Sequence, residues 1–200
     1  MGKRHHGKMT AKENSKGVEV IICDVTWFDA TTTYSVANSP ERTAELTFTA
    51  DDLNYFARVL FAEASGASML PDLETRKAEK EAIINTTFFR INRKGYPNNK
   101  YIATTFAGVC NAEGQFQTVT PKLTQKMQSV MGSQYKNLGV GDCSDLQEAI
   151  DAIKLFMESG PNSKYTYDNF RGGDKGQGKN IGHSRFWLSP VGAGMAAKIP

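Results

Sequence analysis

Apolar residues recur at helical spacing between Thr49 and Gly66, as Leu53, Phe56, Leu60 and Ala64, and the same stripe carries one carboxylate, Glu63. Thr49 is placed to cap the helix, Asp51 and Asp52 fall in its first turn, where carboxylates favour the dipole, and Gly66 is placed to end it. A stripe of this kind belongs against a core. At 200 residues the chain is long enough to bury one without disulfides or a metal, so one main domain is expected.

Further helices are predicted from Glu74 to Asn92, with Ile84, Phe88 and Ile91 as the apolar stripe, and from Tyr101 to Val109. Thr120 and Pro121 read as a cap and first-turn pair opening a helix through Met131. Ser144 and Gln147 form a capping-box pattern before Leu146, Ile150, Ile153 and Met157, and Gly160 closes that helix. Val18 to Phe48 is rich in β-branched and aromatic residues and reads as extended structure, either packed on the core or docking a carrier. Tyr165–Phe170 and Ile181–Leu188 read as short extended pieces around the glycine-rich loop Arg171–Gly178. Residues 1–17 are basic and polar with almost nothing to bury and read as a flexible arm; residues 191–200 read as a tail. The expected class is α+β, mainly helical with a minor β part, with residues 49–190 as the principal domain.

Composition excludes several functions. A formal charge of +3, scattered along the chain, is too small for a nucleic-acid partner. No stretch approaches the ~18 consecutive apolar residues of a spanning helix, so no membrane insertion is expected. The apolar run Val18–Val25 is interrupted by Glu19 and Asp24 and lacks a cleavage site, so no signal peptide is read and synthesis in the cytoplasm is expected. Cys23, Cys110 and Cys143 are odd in number with no C-x-x-C pair and read as unpaired thiols suited to a reducing compartment. There is no H-E-x-x-H and no Cys/His cluster, and the run RGGDKGQGK does not match a phosphate-binding loop. Neither a metal nor a cofactor is expected.

The chemistry points to Glu63. Burial on an apolar stripe disfavours a charged carboxyl, and a helix carboxyl end presents negative dipole to it, so both are expected to keep the proton on. A protonated carboxyl can deliver that proton to a glycosidic oxygen and help its leaving group depart. No second carboxylate stands out. Glu113, Asp142 and Asp168 are candidates by type only. Gln115 can exchange hydrogen bonds with a hydroxyl or N-acetyl group, and Phe116, Tyr167 and Trp187 offer flat apolar faces to sugar rings.

The segment ARVLFAEASG, residues 57–66, is similar to the signature around the catalytic Glu of the cell-wall hydrolases typified by spore-cortex-lytic enzymes of germination. RINRKGYPNN at 90–99, AEGQF at 112–116, the region Tyr167–Asn169 and IGHSRFW at 181–187 follow in the same order. The charged stretch Ser68–Lys80 departs from the family, whose loop after the Glu motif is short. The resemblance implies a lysozyme-like fold and cleavage of peptidoglycan glycan strands between N-acetylmuramic acid and N-acetylglucosamine, with Glu63 as the acid. Gln115, Phe116, Tyr167, Asn169, His183 and Trp187 are read as glycan-binding positions, His183 by its place in the family motif. In a lytic transglycosylase the muramic acid 6-hydroxyl attacks the anomeric carbon, so one Glu serves as acid and then base; hydrolysis by a muramidase is the alternative. A glycan substrate lies outside the cytoplasmic membrane, so the expected setting is the periplasm or cell wall, of the producer or of a target cell. A secretion carrier or a phage-type lesion would deliver the protein there, and an inhibitor protein would protect its producer.

Two readings compete. Cys110 and His183 could form a cysteine hydrolase if they meet in space. A glycan-binding module that cleaves nothing would keep the fold without the acid's role.

Overall fold

The stripe from Leu53 to Ala64 lies on helix α1, Ala50–Glu63, capped by the Thr49 side chain, which accepts the Asp52 amide at 3.2 Å. Leu53, Phe56, Ala57 and Leu60 are fully buried, so the stripe is the helix's inner face. The computed structural model describes residues 7–37, 46–98, 100–173 and 175–189.

Helix α2, Leu73–Arg90, is capped by Asp72, whose side chain accepts the Thr75 amide at 2.8 Å, and it buries Ile83, Ile84 and Phe88. Helix α3, Phe106–Cys110, is shorter than the predicted Tyr101–Val109; Tyr101–Ile102 pairs instead with Pro97–Asn98 as the two-stranded β6 and β5. The helix expected from Thr120 is only α4, Gln125–Gln128, opened by Thr124. The Thr124 amide donates to the Thr118 carbonyl at 3.0 Å, so the preceding residues close a loop rather than a first turn. Helix α5, Val140–Ser159, begins before the Ser144 capping box and ends at Gly160, where φ of 75° suits glycine. Helices α1 and α2 both pack on α5. Phe106 stacks on Phe56 with ring centres 4.4 Å apart and meets Phe48 at 4.9 Å. Each such buried ring contributes about 1.5–3 kcal/mol, and the cluster locks α3 onto α1. Asp52 reinforces the joint by accepting the Phe106 and Ala107 amides at 3.0 and 2.7 Å; burial pushes its carboxyl up and those two bonds oppose the shift.

The reading of residues 1–17 as a flexible arm is corrected from Lys8 onward. Strand β1, Lys8–Glu13, pairs antiparallel with β2, Glu19–Asp24, around a turn in which the Asn14 side chain accepts the Lys16 and Val18 amides. The arm's first six residues lie outside the described residues. Strand β3, Thr33–Ser35, pairs with β4, Thr47–Thr49, and delivers the chain into α1. The expectation of unpaired thiols is also corrected. Cys23 is fully buried on β2 and forms a disulfide with Cys143 in the first turn of α5, while Cys110 stays free and buried.

The C-terminal extended pieces form one antiparallel sheet ordered β7–β9–β8: Asn169–Gly172, Ser184–Trp187 and Lys179–Ile181. Its central strand buries Ser184 and Phe186. The fold is thus a mixed α+β one, with several helices and small antiparallel sheets. Among the described residues no helix is long and apolar enough to cross a membrane. The predicted tail, 191–200, lies outside them.

Candidate active site

Glu63 is the last residue of α1. The chain leaves the helix at Ala64 in an extended conformation, with φ −79° and ψ 158°, two residues before the predicted stop at Gly66. The Glu63 carboxylate is half-buried, and its Oε1 accepts both the Thr118 amide, at 3.2 Å, and the Thr118 hydroxyl. No described residue hydrogen-bonds Oε2. One oxygen is therefore fixed by two donors, while no hydrogen bond from the described residues reaches the other.

Thr118 is held in turn by Phe116. The Val119 and Thr120 amides both donate to the Phe116 carbonyl, and the Phe116 ring packs edge-on against Phe170, 5.5 Å between centres. With 1% exposure, Phe116 is corrected from a sugar platform to a core anchor, which presents Thr118 to Glu63 through its own backbone.

The residues that follow Glu63 are gripped by charged side chains from three helices. Lys126 of α4 donates to the Ala64 carbonyl at 3.2 Å and lies over the Phe61 ring; burial pulls its ammonium down from the ordinary lysine range. Glu79 of α2 accepts the Ser65 amide at 2.9 Å, and Lys80 donates to the Ser65 carbonyl at 3.0 Å. Asp145 of α5 accepts the Ala67 amide at 3.0 Å. A Cβ on Gly66 would sit 2.1 Å from an Asp145 carboxylate oxygen, so a larger residue there would displace the carboxylate that holds the Ala67 amide. Glu148 joins Lys80 and Arg76, at 2.9 and 3.1 Å. Burial would raise its carboxyl, but the bonds from Arg76 and Lys80 outweigh it and hold it low. Glu79 and Lys80 were missed in the sequence because they fall in the charged run Ser68–Lys80. The structure makes most of that run the first half of α2.

The remaining candidates fall into two groups. Gln115 is half-buried in the loop that carries Thr118, and its side-chain oxygen accepts the Tyr96 hydroxyl at 3.0 Å. Beside that loop is an open hollow of about 470 Å³, walled by Tyr101, Gly108, Asn111 and Glu113. Asn169 lies directly opposite Trp187 in the β7–β9 register, and Tyr167, two residues before β7, packs its ring against Phe186. Ring contacts connect the groups, from Phe116 to Phe170, then Phe186 at 5.8 Å and Tyr167 at 5.7 Å. His183 has an exposed imidazole, while its amide donates to Glu79 at 3.1 Å. A second groove, of about 790 Å³ between α2 and α5, reaches Ala67 and Asp145 but not Glu63.

The other carboxylates named by type have other surroundings. Glu113 and Asp142 are exposed, and no hydrogen bond joins either to Glu63 among the described residues. Asp168 is buried and accepts the Ser189 amide at 2.7 Å, the Ser189 hydroxyl, Asn169 at 2.8 Å and Arg93 at 3.1 Å. Burial alone would raise the Asp168 carboxyl, but these bonds outweigh it and leave it below its ordinary value of 3.8. A depressed folded-state value contributes stability above the unfolded value, and that contribution is lost as pH falls through the folded one. Asp168→Asn is therefore expected to cost about 1.5–3 kcal/mol at neutral pH. Its gap to the wild type should begin to narrow as pH falls below 3.8, as read by urea unfolding at pH 7 and pH 3; an equal gap at both would contradict the linkage.

Cys110 is wholly buried, which pushes its thiol well above the ordinary range and away from the thiolate a nucleophile needs. Among the described residues no group of acidic, His and Cys side chains is arranged to hold a metal. No family model, curated protein or solved structure matches the chain.

Proposed function

We propose that the chain is a lysozyme-like lytic transglycosylase that cleaves peptidoglycan glycan strands between N-acetylmuramic acid and N-acetylglucosamine, with Glu63 as acid and then base. The observation that carries this reading is the divided Glu63 carboxylate at the end of α1, with Oε1 held by Thr118 and no hydrogen bond to Oε2 from any described residue. In the first step the carboxyl proton passes to the glycosidic oxygen, the bond to the muramic acid anomeric carbon breaks, and the N-acetylglucosamine chain leaves with a free hydroxyl. In the second the Glu63 carboxylate takes the proton of the muramic acid 6-hydroxyl as that oxygen bonds to the anomeric carbon. The proton count closes and no water is consumed. Gln115 in the acid's loop, Asn169 and Trp187 on the sheet, and Tyr167 just before it supply polar and flat apolar groups for binding sugar rings.

The buried disulfide favours an oxidising compartment, which agrees with action in the periplasm or cell wall. Delivery by a carrier or a phage-type lesion, and an inhibitor protein in the producer, belong to the same reading. Digestion of purified sacculi, followed by borohydride reduction and mass spectrometry, tests the chemistry. Every released muramic acid end should be the non-reducible 1,6-anhydro form. Wholly reducible ends would mean a hydrolytic muramidase, and binding without release would mean a glycan-binding module.

A further inference from the structure

Glu79 takes no part in proton transfer, yet it is a carboxylate only 1% exposed in the middle of the fold. Such a group is tolerated when donors satisfy it, and here both oxygens are used. Oε2 accepts the Ser65 amide at 2.9 Å; Oε1 accepts the His183 amide at 3.1 Å and the Ser184 hydroxyl at 2.8 Å. One carboxylate thus ties the residues just after Glu63 to the turn between β8 and β9. That turn lies against the Glu79 side chain: a Cβ on Gly182 would sit 2.9 Å from the Glu79 carboxyl carbon, and Gly182 has φ of 61°.

The neighbouring residue acts on the same segment. Lys80 donates to the Ser65 carbonyl at 3.0 Å and is anchored by Glu148 at 2.9 Å. Consecutive helical residues point about 100° apart, so α2 reaches both backbone polar groups of Ser65 from two directions. A helix's last turn lacks partners for its final carbonyls and frays unless something outside holds it. Glu63 occupies that last turn, and a misplacement of about 1 Å can cost a reaction about 100-fold.

We propose that Glu79 is a positioning residue for the glycan cleavage assigned to Glu63, fixing the acid relative to the C-terminal sheet that bears Asn169, His183 and Trp187. The inference rests on the function proposed above. In Glu79→Gln the side chain keeps its size but has one acceptor oxygen and one NH2 group. If the oxygen stays with His183 and Ser184, the NH2 faces the Ser65 amide, donor against donor, and Ser65 is released.

The test compares wild type, Glu79→Gln and Ser184→Ala by muropeptide release from sacculi, co-sedimentation with sacculi, near-UV circular dichroism and amide exchange at Ser65. Glu79→Gln should release muropeptides roughly 10–100-fold more slowly per folded molecule, bind sacculi within about twofold of wild type, and exchange the Ser65 amide at least about 10-fold faster. A merely structural role would lower the folded fraction without separating rate from binding. Wild-type rate and exchange in folded Glu79→Gln would overturn the proposal. Should that variant not fold, Ser184→Ala removes a single Oε1 donor and should slow release about 3–10-fold with binding unchanged; a wild-type rate there overturns it equally. Absence of cleavage by the wild type overturns the functional reading, and a failure confined to the variants overturns only the role of Glu79.

Discussion

Glu63→Gln is expected to slow muropeptide release from purified sacculi at least about 100-fold, the scale of losing a general acid. The fold should survive, because the Gln oxygen can accept the same two bonds that Thr118 gives to Oε1, and the NH2 group takes the Oε2 position, which no described residue hydrogen-bonds. What the variant cannot do is release a proton to the glycosidic oxygen. A half-buried, isosteric change of this kind should move stability by no more than about 1 kcal/mol, so the loss of rate should appear without loss of near-UV circular dichroism. Binding to sacculi should also persist. Clearance by the folded variant at a rate close to wild type would remove Glu63 from the mechanism and with it the carrying observation.

How far the sequence reveals this site depends on the distance over which its contacts reach. Helix α1 is legible because its signals are local: the Thr49 cap, two carboxylates in the first turn and an apolar residue every three or four positions. Helix α5 and its stop at Gly160 are legible for the same reason. The partner of Glu63 is not, since Thr118 lies 55 positions along the chain in a loop shaped by Phe116. Nor can an aromatic type alone separate a sugar platform from a core anchor, which is why Phe116 belongs to the core while Tyr167 and Trp187 keep part of their surface exposed. Glu79 and Lys80 invert the usual rule that charged runs face water. Their burial is tolerated only because Ser65, His183, Ser184 and Glu148 supply partners, and the most distant of these bonds to Glu79 lies 105 positions away.

Removal of the Cys23–Cys143 disulfide carries the largest expected effect on stability. The two cysteines are 120 positions apart, and a closed loop of that length restricts the unfolded chain by about 5 kcal/mol in the chain-entropy account, with about 2–5 kcal/mol the usual loss when a native bridge is removed. For a domain of this size each kcal/mol moves the melting temperature by about 2–4 °C. The double variant Cys23→Ser, Cys143→Ser should therefore melt roughly 5–20 °C below wild type, and wild type held in reductant should melt with it. Thiol titration of denatured, unreduced wild type should find one group, Cys110, and three would mean that the bridge does not form. The effect should reach the site as well. Cys143 stands in the first turn of α5, two residues before Asp145, whose carboxylate holds the Ala67 amide at 3.0 Å in the segment that leaves Glu63. Freeing the β1–β2 hairpin from α5 loosens that turn first. Muropeptide release by reduced protein should accordingly fail at a lower temperature than release by oxidised protein, and coincident temperature profiles would show that the bridge serves neither the fold nor the site.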